Sequence, residues 1–291
     1  MRLWFYLTSV LLGGAVWAAA QVQVEVQLEN EQFLAREPLV AAVRITNYSG
    51  QKLRLGKEPD WLRFAVEARG GSIVSKVADP PVTGEFEVES ATTATRRVDL
   101  APYFDIGQPG RYAVTAVVNI PQWNRDLSTQ PKGFDIISGA KLWEQDFGLP
   151  TAGEPGNVAP EVRKFALLQV NRAKQISLYV RLSDLTESRV YRVYPVGTLV
   201  SFSKPEGQID RAGHLHILHQ KGARAFNYCV INPDGELVSR QTHEYTATRP
   251  ALSVDADGKI GVTGGIRRIS ANDLPPPAAP SPAPEAKPPK S

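Results

Sequence analysis

Between residues 21 and 147, apolar and polar residues alternate in short runs separated by turn residues. In QVQVEVQLE, Val22, Val24, Val26 and Leu28 share one face and polar residues the other. A period of two is the mark of a strand with one buried face. PLVAAVRIT repeats it with Leu39, Ala41, Val43 and Ile45 before the turn NYSG, WLRFAVEA with Leu62, Phe64 and Val66, and RYAVTAVVN with Tyr112, Val114, Ala116 and Val118. IVSKV, GEFEVES, TRRVDL and GFDII read as further short strands. Eight or nine such strands in one stretch predict an antiparallel β-sandwich.

The segment 148–160, GLPTAGEPGNVAP, is rich in Gly and Pro and lacks periodicity. It is expected to be a linker. The following stretch, 161–271, contains a near-repeat. KPEGQIDRAGHLHI from Lys204 lies on RPALSVDADGKIGV from Arg249 at an offset of 45, matching Pro205 with Pro250, Asp210 with Asp255 and Gly213 with Gly258. A looser echo sets YRVYPVGTLV from Tyr191 against YCVINPDGELV from Tyr228, with Pro195 and Gly197 meeting Pro233 and Gly235 at an offset of 38. The glycines are expected at hairpin turns. This spacing resembles that of β-propeller blades. Two to three such units fit into 161–271, whereas a closed propeller needs at least about four. The expectation is therefore a blade-like hairpin or meander module, and a chain that is mainly β throughout.

DIGQPGRYAVTAVV resembles the corner of an immunoglobulin-like sandwich, with Gly110 as the turn residue and Tyr112 at the start of a late strand. The resemblance implies that the Tyr112 hydroxyl ties back to nearby backbone. Val114 stands where antibody-type domains carry a disulfide cysteine. An adhesion or spacer module without that disulfide is what the resemblance implies.

The two ends differ from the body. Arg2, the apolar stretch Leu3 to Val16 and the small residues Ala18-Ala19-Ala20 before Gln21 follow the order of a cleaved secretory signal over 1–20. No second apolar run is long enough to span a membrane, so no transmembrane segment is expected after cleavage. Residues 272–291 form a Pro/Ala/Lys-rich tail with little to bury, expected to be disordered with an extended bias. Export to the periplasm or outside follows, with bacterial export favoured by the single cysteine and compact leader.

Charge adds little direction. Residues 21–150 hold 14 Lys+Arg against 17 Asp+Glu, and 151–271 hold 16 against 11. The basic residues are interspersed along strands rather than clustered, so no nucleic-acid partner is expected. Cys229 is the only cysteine, which rules out an intramolecular disulfide. It lies in AFNYCVI and reads as a small buried hydrophobe.

Candidate chemistry is sparse. All four histidines fall between His214 and His243, three of them in HLHILHQ. On a strand His214 and His216 share a face and His219 points the other way. Two such imidazoles with a third ligand from His243, Asp210 or Glu244 would suit zinc, and a hydrolytic water bound to it. The simpler expectation is polar histidines on an exposed strand face, and the sequence requires no cofactor. VDADGK lacks the spaced acidic ligands of a calcium loop and reads as a turn. No nucleophile elbow or phosphate-cradling glycine loop occurs. Glu85, Glu87 and Glu89 read as a solvated acidic face. Trp123, in the loop IPQWNRD, is a candidate anchor for a protein or glycan partner, or a plug for one end of the sandwich. The leading expectation is an exported, non-catalytic binding or scaffold protein of the envelope or extracellular space. A metal-dependent hydrolase using His214 and His216, and a purely structural envelope protein, are the alternatives.

Overall fold

The computed structural model describes residues 21–149, 161–172 and 175–275. The expected signal at 1–20, most of the linker and the tail beyond Pro275 lie outside the described residues. Among the described residues the fold is mainly β, in antiparallel sheets with one parallel pairing.

The first unit contains β1 (Val22–Leu28), β2 (Gln32–Leu34), β3 (Val40–Asn47), β4 (Leu53–Leu55), β5 (Leu62–Ala68), β6 (Phe86–Val88), β7 (Thr92–Asp99), β8 (Gly110–Ile120), β9 (Arg125–Ser128) and β10 (Lys132–Ile137). One sheet runs β1-β3-β7 and another β2-β10-β8-β5, with β9 added to β8 and the β4-β6 pair separate. The short edge strand β2 lies parallel to β10. The alternating residues meet between the sheets: Val43, Ile45, Val66, Val114 and Val118 are fully buried in one core. Trp61 is buried there too, its indole N–H donating to Val82 O at 2.9 Å. The Tyr112 hydroxyl donates to Gln108 O at 2.7 Å, the tie-back expected of it. Asn47, in the turn NYSG, is buried and donates to both Gln51 O and Val88 O. Its amide is thus part of the fold.

One strand expectation changes. IVSKV makes only isolated bridges, Glu67 to Ile73 and Lys76 to Phe104, and leaves Ile73 and Val77 exposed. It has one inward residue, Val74, and meets β5 only briefly, the Val74 N–H donating to Val66 O at 2.9 Å. Glu85, Glu87 and Glu89 are all exposed, as expected of a solvated acidic face, and the last two also carry ion pairs. Lys52 contacts both carboxylates at 2.9 Å, and Arg54 reaches Glu87. The Lys52 hydrogen bond holds the Glu87 carboxyl below its usual range.

The second unit contains β11 (Ala140–Gly148), β12 (Val162–Arg172), β13 (Gln175–Asp184), β14 (Val190–Thr198), β15 (Glu206–Ile209), β16 (Leu215–Gln220), β17 (Ala225–Ile231), β18 (Leu237–Glu244), β19 (Ala251–Val254), β20 (Ile260–Thr263) and β21 (Ile266–Arg268). Two meanders, β11-β12-β13-β14 and β15-β16-β17-β18 with β21 at the edge, face each other. Phe165, Leu167, Val180 and Leu182 from the first pack on Leu215, Ile217, Cys229 and Ile231 from the second. The β19-β20 hairpin covers the outer face of the second meander, with Leu252 and Val262 against Leu218, Phe226 and Tyr228.

The boundary expected at 147/148 moves to about residue 139. The strand β11, assigned from sequence to the first unit, pairs along its length with β12, and Phe147 stacks on Phe165 at 4.8 Å. As an edge strand with a mostly exposed pattern, it carries no alternation to announce it. The tail also starts later than residue 272: Leu274 exchanges backbone hydrogen bonds with Arg240, and Arg267 holds Asp273.

The 45-residue repeat is a repeated turn rather than a repeated sheet. Asp210 accepts the backbone N–H groups of Ala212 and His214 at 2.9 and 2.8 Å, and Asp255 those of Asp257 and Lys259 at 3.0 and 2.8 Å. Gly213 and Gly258 follow at φ +83° and +82°, completing a three-residue hairpin loop with a glycine bulge. Asn232 and Gly235 build a third copy. The β15-β16 hairpin lies within a sheet, while β19-β20 stands outside it. The 38-residue echo has no common structure: Gly235 turns a hairpin, but Gly197 lies inside β14 opposite Leu178.

The two units share a joint. Leu34 and Ile137 pack on the outer face of β12-β14, against Leu168, Val170, Tyr179 and Val193. At its edge the buried Glu37 accepts the Tyr179 hydroxyl at 2.9 Å, the Leu34 N–H at 2.7 Å and Arg172 Nη2 at 3.3 Å.

The turns make a quantitative comparison. An alanine in the left-handed region costs about 1–2 kcal/mol, and Gly258→Ala should cost only that, since its Cβ would meet nothing closer than Arg211 at 3.8 Å. Gly235→Ala should cost more, because its Cβ would sit 2.9 Å from Arg192 Cγ and 3.1 Å from Leu182 Cδ2. Urea unfolding of both variants checks this, and equal losses would contradict it.

Candidate site: a roofed cleft on the second unit

Strand register decides which side chains meet on the outer face of the second meander. His216 lies opposite Val230, which lies opposite Ser239; Leu218 opposite Tyr228 and then Gln241; Phe226 opposite His243. Period-two alternation sends Leu215, Ile217 and His219 to the other face, into the core between the sheets. The β19-β20 hairpin roofs the outer face with Ile260 and Val262, leaving a cleft of about 620 Å³. Asp210, Arg211, Asp257 and Lys259 are the charged residues that line it, with Arg211 near the turn at Gly258.

A hydrogen-bonded chain runs along the floor. Asp210 Oδ1 is used by its own turn. Its Oδ2 lies 3.2 Å from His216 Nε2 and 3.4 Å from His214 Nδ1. His216 Nδ1 lies 2.7 Å from Tyr228 Oη, which is 3.4 Å from Ile260 O on the roof. A carboxylate only accepts, so His216 carries its proton on Nε2 and accepts the Tyr228 hydroxyl at Nδ1. Burial works against the Asp210 carboxylate, but the His214 N–H and the His216 ring outweigh it and hold its pKa below the ordinary value. Burial lowers His216 more strongly than Asp210 raises it, which keeps the ring neutral. Burial also raises the Tyr228 phenol.

The histidines are not an exposed face. His214 sits in the turn before β16, half exposed, while His216, His219 and His243 are buried. The alternation was read correctly, but the roof that covers one face comes from about forty residues further on. His219 points inward as expected, and burial pushes its pKa down to about 4. His243 lies edge-on to Tyr228, ring centroids 6.3 Å apart, on the far side from His216. Glu244 pairs with Arg268. Of the candidate ligands, Asp210, His214 and His216 come together and His243 and Glu244 do not join them. Among the described residues, no three His, Cys, Asp or Glu side chains are grouped to hold a metal ion. The Cys229 thiol is fully buried and burial pushes its pKa up to about 11, as suits an inert packing residue.

Trp123 lies far from the cleft in sequence and fold, in the short helical turn Pro121–Trp123 at the end of β8, half-buried against the first core. Sequence reasoning missed Tyr228, Ser239 and Gln241. The only signal was polar spacing of two in SRQTH, whose meaning depends on the facing strand.

No family model matches the chain and no curated protein matches it. Among solved structures it is similar to Spo0M, a sporulation control protein from Bacillus subtilis, at 9% identity and a TM-score of 0.30, covering 61% of this chain and 90% of that one. So distant a likeness supports no argument about site or function.

The buried imidazoles predict acid sensitivity. A histidine whose folded pKa is depressed binds protons more readily when unfolded, so its stabilising contribution is complete above its ordinary 6.5 and lost as pH falls. For His219 the window runs from 6.5 down to about 4, with a maximum slope of about 1.4 kcal/mol per pH unit. His216 and His243 shift in the same direction. Denaturant unfolding across this range should show stability falling with pH, less steeply in His219→Gln. An unchanged slope in the variant would refute the assignment.

Proposed function

We propose that this is an exported, non-catalytic binding and scaffold protein of the cell envelope or extracellular space. The joint at Glu37, Tyr179 and Arg172 is the observation that carries the reading: a buried charge, satisfied from both sides, holds two β units in one orientation. Fixed geometry between two surfaces is what a scaffold needs. The Tyr112 tie-back supports an immunoglobulin-like first unit. The order of the first twenty residues supports export. In the cleft, the charged and aromatic groups most suited to catalysis are turned on one another: Asp210 to its turn and two imidazoles, and His216 to Asp210 and Tyr228.

Removing one partner of a buried charge pair costs about 3 kcal/mol or more. Glu37→Ala should therefore destabilise strongly, and Tyr179→Phe by only about 1 kcal/mol. The wild type should unfold in a single transition that Glu37→Ala splits in two. In-cell crosslinking in the envelope should capture a partner with wild type and lose it with Glu37→Ala held under folding conditions. Two separate transitions in the wild type would sink the rigid-scaffold reading. Turnover in a hydrolase screen that a folded His216→Ala variant lacks would sink the non-catalytic one.

A further inference from the structure

We infer that the roofed cleft binds a neutral, hydroxyl-rich ligand, a short uncharged oligosaccharide. This rests on the binding reading above and gives it a ligand class.

Three features of the cleft point there. The first is charge. Arg211 and Lys259 are matched by Asp210 and Asp257, so the lining favours neither anion nor cation. The second is the supply of uncommitted neutral polar groups. The half-buried Ser239 and Gln241 side chains make no hydrogen bond among the described residues. His243, only 8% exposed, has an Nε2 with no partner. Buried polar atoms in native proteins are nearly always paired, so an unpaired one calls for a water or a ligand. Tyr228 directs its one proton at His216 Nδ1, with Ile260 O a longer second acceptor, and keeps oxygen lone pairs free to accept.

The third feature is the arrangement. These donors and acceptors surround apolar walls from Val230, Ile260 and Val262 and the aromatic edge of Tyr228. A sugar hydroxyl both donates and accepts, as do Ser239 and Gln241, and the C–H faces of a pyranose suit apolar walls. A purely apolar ligand would strand Gln241 and Ser239 without partners, at a cost for each buried polar group. A peptide strand would seek a free sheet edge, and this cleft lies on a sheet face beneath a hairpin. The volume falls within the range of small-ligand sites.

The test uses the folded protein from residue 21 onward, including its tail, with maltotriose, cellotriose and tri-N-acetylchitotriose as neutral probes and inorganic phosphate and spermidine as charged ones. Binding is read by calorimetry and by shifts of backbone amide resonances. At least one trisaccharide should bind at millimolar concentration or better and shift the Ser239–His243 amides. Gln241→Ala should weaken it about tenfold, the loss of one good hydrogen bond. Tyr228→Phe should weaken it too, and Trp123→Ala should not. Circular dichroism confirms that each variant folds, and Ser239→Ala serves as a second cleft variant if Tyr228→Phe does not. No binding by any trisaccharide, binding untouched by Gln241→Ala, or tighter binding of a charged probe would overturn the inference. A protein partner still captured in the envelope would then leave the scaffold reading standing without it.

Discussion

A carboxylate taken out of water must be matched at once, and in this fold the carboxylate is Glu37. It sits just after β2, at the point where the first unit meets the outer face of β12-β14. Its partners come from elsewhere in the chain: Arg172 at the end of β12 and Tyr179 within β13. Burial and the neighbouring Glu37 charge both raise the Tyr179 phenol, so the hydroxyl stays protonated and donates. Apolar contacts by Leu34 and Ile137 could slide along a flat sheet face, since hydrophobic burial has no direction. The hydrogen bonds to Glu37 have direction, and they fix where the slide stops. Gly139, in the passage from one unit to the next, helps: a Cβ there would lie 3.1 Å from Leu168 Cβ, so the chain crosses close against the sheet.

The second unit uses one turn design repeatedly, and the cleft depends on it. An Asp or Asn at the first position accepts two backbone N–H groups, and a glycine in the left-handed region closes the loop. At Asp210 this local device acquires a second use. One carboxylate oxygen builds the turn and the other holds His216, which in turn fixes the Tyr228 hydroxyl. At Asp255 the same turn sets the end of the roofing hairpin. Glu206 anchors that hairpin by accepting the Leu252 N–H at 2.7 Å. Floor and roof of the cleft are thus both positioned by short-range turn chemistry that costs few residues.

Much of the β architecture was legible because one-sided burial writes a period of two into the chain. β1, β3, β5, β8 and β10 could be read directly from Val, Ile and Phe at alternate positions. β11 could not, because an edge strand buries little and carries no pattern. IVSKV showed the pattern but meets β5 only at an isolated bridge, and alternation alone cannot tell how far a pairing runs. The histidine cluster shows the same limit. Alternation separated His216 from His219, but whether the outer face met water depended on a hairpin at 251–263. The 45-residue repeat was legible as sequence and misleading as architecture, since a good turn recurs wherever a tight hairpin is needed.

Gly197 carries this reasoning one step further. A glycine inside a strand weakens it and marks a close approach, and here the approach is to His219. A Cβ at 197 would lie 3.1 Å from His219 Cε1 and 3.4 Å from Asn227 Nδ2. His219 and Asn227 are cross-strand partners on the inward face, and both are buried. The core between the two meanders therefore ends in a polar layer, with a missing side chain on β14 making room for an imidazole. The pair makes sense together: space on one strand and an imidazole on another that fills it. In a sheet, a slip of one residue would put His219 on the outer face and leave that space empty. The polar layer thus specifies the register of β16, and with it the placing of His216 and Tyr228 in the cleft.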